Sequence, residues 1–220
     1  PRWVQRLPEG GIDPLLRGML VAPAQRIDAK AVDALRNHMF GTVRQGGTDL
    51  VAVNIQRGRD HGLGDYNSVR EAFGLPAHTS FEGVTGGDEE LAASLRRLYG
   101  DEASGGLARL DLFVGGLCEP PVPPSVLGET FTAIVVDQFT RIRDGDRFWY
   151  ENPDVRDSDE IAAGGEPVPM FDDASLATLR SMKMKDLLEH HVKLPARLGR
   201  GVSSSAFKVA TGRFLDDAEQ

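Results

Sequence analysis

One stretch constrains this chain more than any other: Asp49-Leu-Val-Ala-Val-Asn-Ile-Gln-Arg-Gly-Arg-Asp-His-Gly-Leu-Gly-Asp-Tyr-Asn67. Leu50, Val51, Ala52, Val53 and Ile55 leave its first half without a polar face until Gln56, a pattern that predicts a buried helix. On a 3.6-residue period Leu50, Val53, Asn54 and Arg57 fall on one stripe, at i, i+3, i+4 and i+7. A buried amide without a partner costs about 1–3 kcal/mol, and a semi-buried guanidinium favours a carboxylate or phosphate. Two arrangements satisfy the stripe. Asn54 caps a nearby loop while Arg57 pairs with an ordinary Asp or Glu, or both residues face a ligand that offers a donor and an anion.

The rest of the chain frames this helix. At 220 residues, 40% hydrophobic and 26% charged, it can bury a core as one domain or as one lobe of a larger one. A net charge of −8 gives no broad basic field, which argues against nucleic acid as a partner. No membrane span or signal peptide is legible, and the single Cys118 can make neither an internal disulfide nor a thiolate cluster. The chain starts Pro1-Arg-Trp-Val without Met, so the expectation is an excerpt from a longer polypeptide.

Helical spacing dominates the remainder. Gly10-Gly-Ile-Asp-Pro14 predicts a turn before a short helix, and Asp28 reads as the cap of a helix carrying Val32, Leu35, Met39, Phe40 and Val43. A helix to Phe73 follows Tyr66, and 74–87 reads as a loop with His78 exposed. Asp88 caps a helix whose buried stripe is Leu91, Leu95 and Leu98 and which ends at Gly100. Cys118 closes the apolar run from Leu110 as a small buried hydrophobe. After the stiff 121–124 connector, Ser125 reads as the cap of an amphipathic helix with Leu127, Phe131, Ile134, Val135, Gln138, Phe139 and Ile142 on one face. Arg143, Asp146 and Arg147 form a charge cluster, with Phe148-Trp149-Tyr150 expected to anchor it in the core. Asp173 reads as the cap of a helix through Leu176, Leu179 and Met182, and 185–192 as another. His190 and His191 are adjacent and diverge by about 100° on a helix, so they do not chelate one ion, and His38 reads as solvated.

Asn54-Ile-Gln-Arg-Gly-Arg-Asp-His-Gly-Leu63, followed by Asp65-Tyr-Asn67, resembles the signature of the animal-type haem peroxidases of the peroxidase–cyclooxygenase superfamily. Gly10-Gly-Ile-Asp-Pro14, the Glu119-Pro120 segment, Arg141-Ile-Arg-Asp-Gly-Asp-Arg-Phe-Trp-Tyr-Glu-Asn152 and Ser203-Ser-Ser-Ala-Phe207 resemble further parts of that family. The likeness is close over residues 8 to 152 and weaker over 153–220, which ends in a loose acidic tail. It implies a mainly α, haem-peroxidase-like helical domain, of which residues 1–220 are the C-terminal portion.

By resemblance, the amide of Asn54 accepts a hydrogen bond from the proximal, iron-ligating His, and Arg57 neighbours a haem propionate. Leu50 and Val53 then form an apolar haem-side wall, and His61 is structural. Gly64 departs from the family's usual Pro and loosens the loop. The resemblance further implies a haem cofactor, hydrogen peroxide and a small electron donor, halide or organic, with an extracellular setting plausible. The family's distal and proximal His precede its Gly-Gly-x-Asp-Pro segment, as does its calcium loop. None of the nine residues before Gly10 is His. The expectation is therefore half a site: no catalytic residue and no metal ligand within this chain, a missing N-terminal part that completes it, and no peroxidase activity in isolation. The alternatives are a non-catalytic helical remnant or binding module, and a fatty-acid dioxygenase or cyclooxygenase relative.

Overall fold

The computed structural model describes residues 12, 15–16, 18–19, 26–39, 41 and 47–191. The turn at Gly10–Pro14, Phe40, Val43, Ser203–Phe207 and the acidic tail lie outside the described residues apart from Ile12. Cα proximity divides the chain into two compact units, Ile27–Arg141 and Pro1–Arg26 with Ile142–Gln220. Among the described residues the chain is helical, with only isolated β-bridges.

In the Ile27–Arg141 unit the helices are α1 (Asp33–Asn37), α2 (Leu50–Asp60), α3 (Tyr66–Ala72), α4 (Phe81–Thr85), α5 (Glu89–Tyr99) and α6 (Leu112–Cys118). Helix α7 (Glu129–Gly145) begins there. The core is built by α3 to α6 and the turns between them: Tyr66, Phe81, Val84, Ala92, Leu95, Leu107, Leu110 and Cys118 are buried, with Leu91, Tyr99 and Val114 packed against them. Burying side chains such as Phe81 and Leu110 contributes about 1.5–3 kcal/mol each. Gly115 and Gly116 make the close packing possible, because a Cβ at Gly115 would collide with the Tyr66 ring and one at Gly116 with the Phe131 ring.

A charged cluster is built into this core, with Arg70 and Glu119 buried and Glu129 half exposed. The Arg70 guanidinium is 1% exposed and donates from Nη1 to Glu119 Oε1 (2.9 Å) and Thr130 Oγ1 (2.9 Å), from Nη2 to Glu129 Oε2 (2.6 Å) and from Nε to the Pro76 carbonyl (2.8 Å). Glu119 also accepts from the Tyr66 hydroxyl and the Thr130 hydroxyl. Its second oxygen accepts from the Thr130 backbone N–H at 2.8 Å, so a carboxylate distant in sequence caps the first turn of α7 at the positive end of the helix dipole.

Local signals set several helix ends as expected. Asp88 caps α5, whose end is at Gly100, and α3 follows Asp65. Elsewhere packing overrides them. Helix α1 is confined to Asp33–Asn37 with Val32 at its cap position; Asp28 instead accepts from Lys30 N, and Met39 leaves the helix to bridge Thr48. The segment 74–87 contains helix α4, and His78 is half-buried, clamped by reciprocal bonds between its backbone and the Asn67 amide (2.9 and 3.0 Å). Leu98 is 73% exposed; Ala92, which flanks Leu95 on the opposite edge of the stripe, takes the buried place beside it. Ser125 Oγ accepts from Leu127 N in a turn, and α7 starts only at Glu129, where Glu119 supplies the cap. Val135, Val136 and Phe139 of α7 are exposed.

In the other unit residues 15–16 and 18–19 are helical, and further helices are α8 (Ser158–Ala162), α9 (Asp173–Ser181) and α10 (Met184–His191). Asp157 and Glu160 form a reciprocal capping box on α8, and Asp172, one residue before the expected Asp173, caps α9. Phe148 is 56% exposed rather than anchored in a core, lying beneath the Arg147 guanidinium at 4.5 Å. Arg143 pairs with its neighbour Asp144, while Asp146 accepts from Phe148 N, so the expected three-residue cluster resolves into local turn contacts.

Candidate functional site

Helix α2 is defined by its two ends. Asp49 accepts from Val51 N and Ala52 N at 3.0 Å each. At the other end Gly62 N donates to Arg59 O and Leu63 N to Gly58 O, both 3.0 Å, the paired bonds of a helix stop. Gly62 takes φ 65°, a left-handed value that a Cβ disfavours, which is why Asp60-His61-Gly62 ends the helix there. The helix packs against α1 and α6. None of its residues is fully buried, which corrects the expectation of a buried helix: Leu50, Val51, Val53, Asn54 and Ile55 are half-buried and Ala52 is exposed.

The loop after α2 is fastened to the start of α6. Arg59 donates through Nε to Asp111 Oδ1 (2.9 Å) and through Nη2 to Asp111 Oδ2 (2.7 Å). The Tyr99 hydroxyl adds a third bond to Asp111 Oδ2 at 2.7 Å. Asp65 bridges to Asp111, and Tyr66 N donates to Leu110 O at 2.9 Å. The Arg59 guanidinium, with help from the Tyr99 hydroxyl, holds the Asp111 carboxyl below the usual carboxylate range. Burial and the same carboxylate push the Tyr99 phenol up.

A half-open cavity of about 540 Å³ lies between these elements. Asn54, Arg57, Gly58 and His61 line it from α2 and its end, and Arg109, Asp111 and Phe113 from the second wall. Asn54 and Arg57, the two residues singled out in the sequence, thus share one wall. Leu50 and Val53 lie on the first turn of the same helix and are not part of the lining. Among the described residues the Asn54 amide and the Arg57 guanidinium make no side-chain hydrogen bond or ion pair, although Arg59, two residues on, is ion-paired with Asp111 through two bonds. His61 faces the cavity and its backbone N–H donates to Arg57 O at 3.0 Å.

Three residues of this region escaped sequence reasoning: Tyr99, Arg109 and Asp111. The Arg59–Asp111 pair spans 52 positions, and no local pattern announces it. The buried Glu119 left a fainter signal, a carboxylate closing an otherwise apolar run and therefore in need of a cation.

The sequence profile of the animal haem peroxidase family, described as "Animal haem peroxidase", matches residues 2–202. Peroxinectin A of Dictyostelium discoideum is 40% identical over 146 residues, 66% of this chain and 26% of that protein. Myeloperoxidase of Mus musculus is 41% identical over 151 residues, 67% of this chain and 20% of that protein. The chain therefore spans about a quarter or less of the curated relatives it matches. Among solved structures, peroxidase A from Dictyostelium discoideum superimposes with a TM-score of 0.60 at 32% identity, over 89% of this chain and 32% of that one. A fatty acid alpha-dioxygenase from Arabidopsis thaliana shares the fold, with a TM-score of 0.67 at 22% identity over 97% of this chain and 31% of that one. A profile match over nearly the whole chain, carried by relatives that keep the helical architecture, establishes that this chain belongs to the animal haem peroxidase family.

Proposed function

We propose that this chain is the C-terminal portion of a haem peroxidase domain and supplies the wall beside the proximal ligand, working with a further portion of the domain that brings the proximal and distal His. The observation that carries this reading is the pairing pattern on α2: Arg59 is consumed by Asp111, while Asn54 and Arg57 stand on a cavity wall with their polar groups unengaged among the described residues. Those two groups fit one end of a haem. The Asn54 amide oxygen is a neutral acceptor suited to the ring N–H of an iron-ligating imidazole, fixing its orientation without drawing off its proton. The Arg57 guanidinium suits a propionate carboxylate. Bound haem supplies the redox chemistry by which hydrogen peroxide is reduced and a halide or small organic donor oxidised. Holding the ring in place and setting the proton on the proximal imidazole are the tasks left to Asn54 and Arg57.

Haemin titrated into the 220-residue chain tests this. It should bind without the stable Soret spectrum of a His-ligated iron. Added imidazole should then act as a surrogate ligand, with affinity for the haemin–imidazole pair falling about tenfold in Arg57→Gln or Asn54→Leu. A stable His-ligated spectrum without imidazole sinks the reading, and so does affinity indifferent to both substitutions.

A further inference from the structure

The second wall of the cavity carries a cation that the site described so far does not use. Arg109 lines the same 540 Å³ space as Arg57, from the turn before α6 rather than from α2. Five ionic side chains line this cavity: Arg57, Arg59, Arg109, Asp65 and Asp111. Asp111 is taken by Arg59 in two bonds, and Asp65 is turned to the start of α3, where it accepts from the Ser68 N–H at 3.1 Å and from the Ser68 hydroxyl. Among the described residues no carboxylate reaches Arg57 or Arg109. Asp65 meets only neutral donors and keeps its charge, so the five side chains give the cavity a net charge of +1, while neither Arg57 nor Arg109 has a carboxylate partner among the described residues.

Arg109 is also held still. Its Nε and Nη2 donate to the Tyr99 carbonyl at 3.2 and 2.7 Å, and its Nη1 to the Ser104 carbonyl at 3.1 Å. A guanidinium has five N–H donors, so two remain on a group whose position is already fixed by neutral acceptors. Backbone carbonyls satisfy its geometry without cancelling its charge. A preorganised fork with residual donors and full charge suits a carboxylate, because little side-chain entropy is lost when the anion arrives.

We infer that Arg57 and Arg109 form a two-point clamp for a ligand bearing two carboxylates, each guanidinium taking one. The inference rests on the reading of this cavity as the haem-side wall and deepens it: both propionates of the porphyrin, not one, are received by this chain. A free dicarboxylate has the same chemistry and is the other source of such a ligand.

Iron-free protoporphyrin IX separates carboxylate binding from iron ligation. Its binding to the 220-residue chain is followed by fluorescence at fixed ionic strength, beside its monomethyl and dimethyl esters and with succinate as competitor. Arg57→Gln and Arg109→Gln should each weaken protoporphyrin binding about tenfold and leave the dimethyl ester unaffected, and Arg109→Lys should restore part of the loss. Weakening by Arg57→Gln alone overturns the clamp and leaves the single-arginine site standing. Indifference to both variants, or no binding of protoporphyrin or succinate by the unaltered chain, overturns both readings. Equal weakening of the dimethyl ester by Arg109→Gln shows that Arg109 only braces its loop, and overturns the clamp. Displacement by succinate supports the clamp with a free dicarboxylate as ligand; sensitivity to both arginines without displacement supports it with the propionates. If Arg109→Gln does not fold, the ester series on the unaltered chain decides. Two successive losses of affinity support the clamp, and a single loss overturns it.

Discussion

Replacing Arg70 by Met removes the cation at the centre of the core cluster while keeping most of its aliphatic stem. Four bonds are lost, and they are not equal. The Glu129 carboxylate is half exposed and the Pro76 carbonyl belongs to an exposed residue, so water replaces Arg70 at both and each contributes about 0–1 kcal/mol. Glu119 is different, because its side chain is 3% exposed and its charge would be left buried with only hydroxyl and backbone donors. Breaking a buried pair from one side costs about 3–5 kcal/mol. For a unit of this size that lowers the melting temperature by on the order of 10–20 °C, measurable by circular dichroism or calorimetry. Adding Glu119→Gln should recover part of the loss, since a neutral amide carbonyl still accepts from Tyr66 and Thr130 while the unpaired charge is gone. An Arg70→Met variant within about 1 kcal/mol of the unaltered chain, or a double variant less stable than Arg70→Met alone, would refute this account.

Three further outcomes are expected. Gly115→Ala, which in an exposed helix would stabilise, should here destabilise by about 1–3 kcal/mol, because the added Cβ meets the buried Tyr66 ring; urea unfolding gives the sign. Burial and the nearby Arg70 lower the His78 pKa from its ordinary 6.5. The folded state thus resists protonation, stability declines as pH falls from about 6.5 towards the folded value, and His78→Asn should flatten the pH dependence of the melting temperature over that window. Glu102 is held down to about 2 by hydrogen bonds from Arg96, so its contribution is present above its ordinary 4.5 and lost as pH falls through about 2. An acid titration of Glu102→Gln should lack that component, and an unchanged acid transition would count against the Arg96–Glu102 contact.

The family was legible in the sequence because its signature is compact: Asn54 to Asn67 carries a helix, its stop and the next cap in a single run. The cap Asp88 and the stop Gly100 were readable for the same reason, since a helix end is satisfied by groups within about a turn of it. Where a cap comes from afar, as Glu119 does for α7, the local candidate Ser125 misleads. The amphipathic pattern of α5 was equally local, yet which of Ala92 and Leu98 would be buried depended on the direction from which its neighbours approach.

The sequence by itself determined the helical character, the family and the two polar residues on α2 that mark the candidate site. Only the tertiary structure decided which charges are spent and which remain. With 33 acidic and 25 basic side chains, local spacing does not select partners. Packing did so, by bringing Asp111 to Arg59 across 52 positions and Glu119 to Arg70 across 49. Ion pairing acts over a few ångströms in space without regard to chain distance, so it is fixed only once the core has folded. That selection leaves Arg57 and Arg109 on the cavity wall without a carboxylate partner among the described residues.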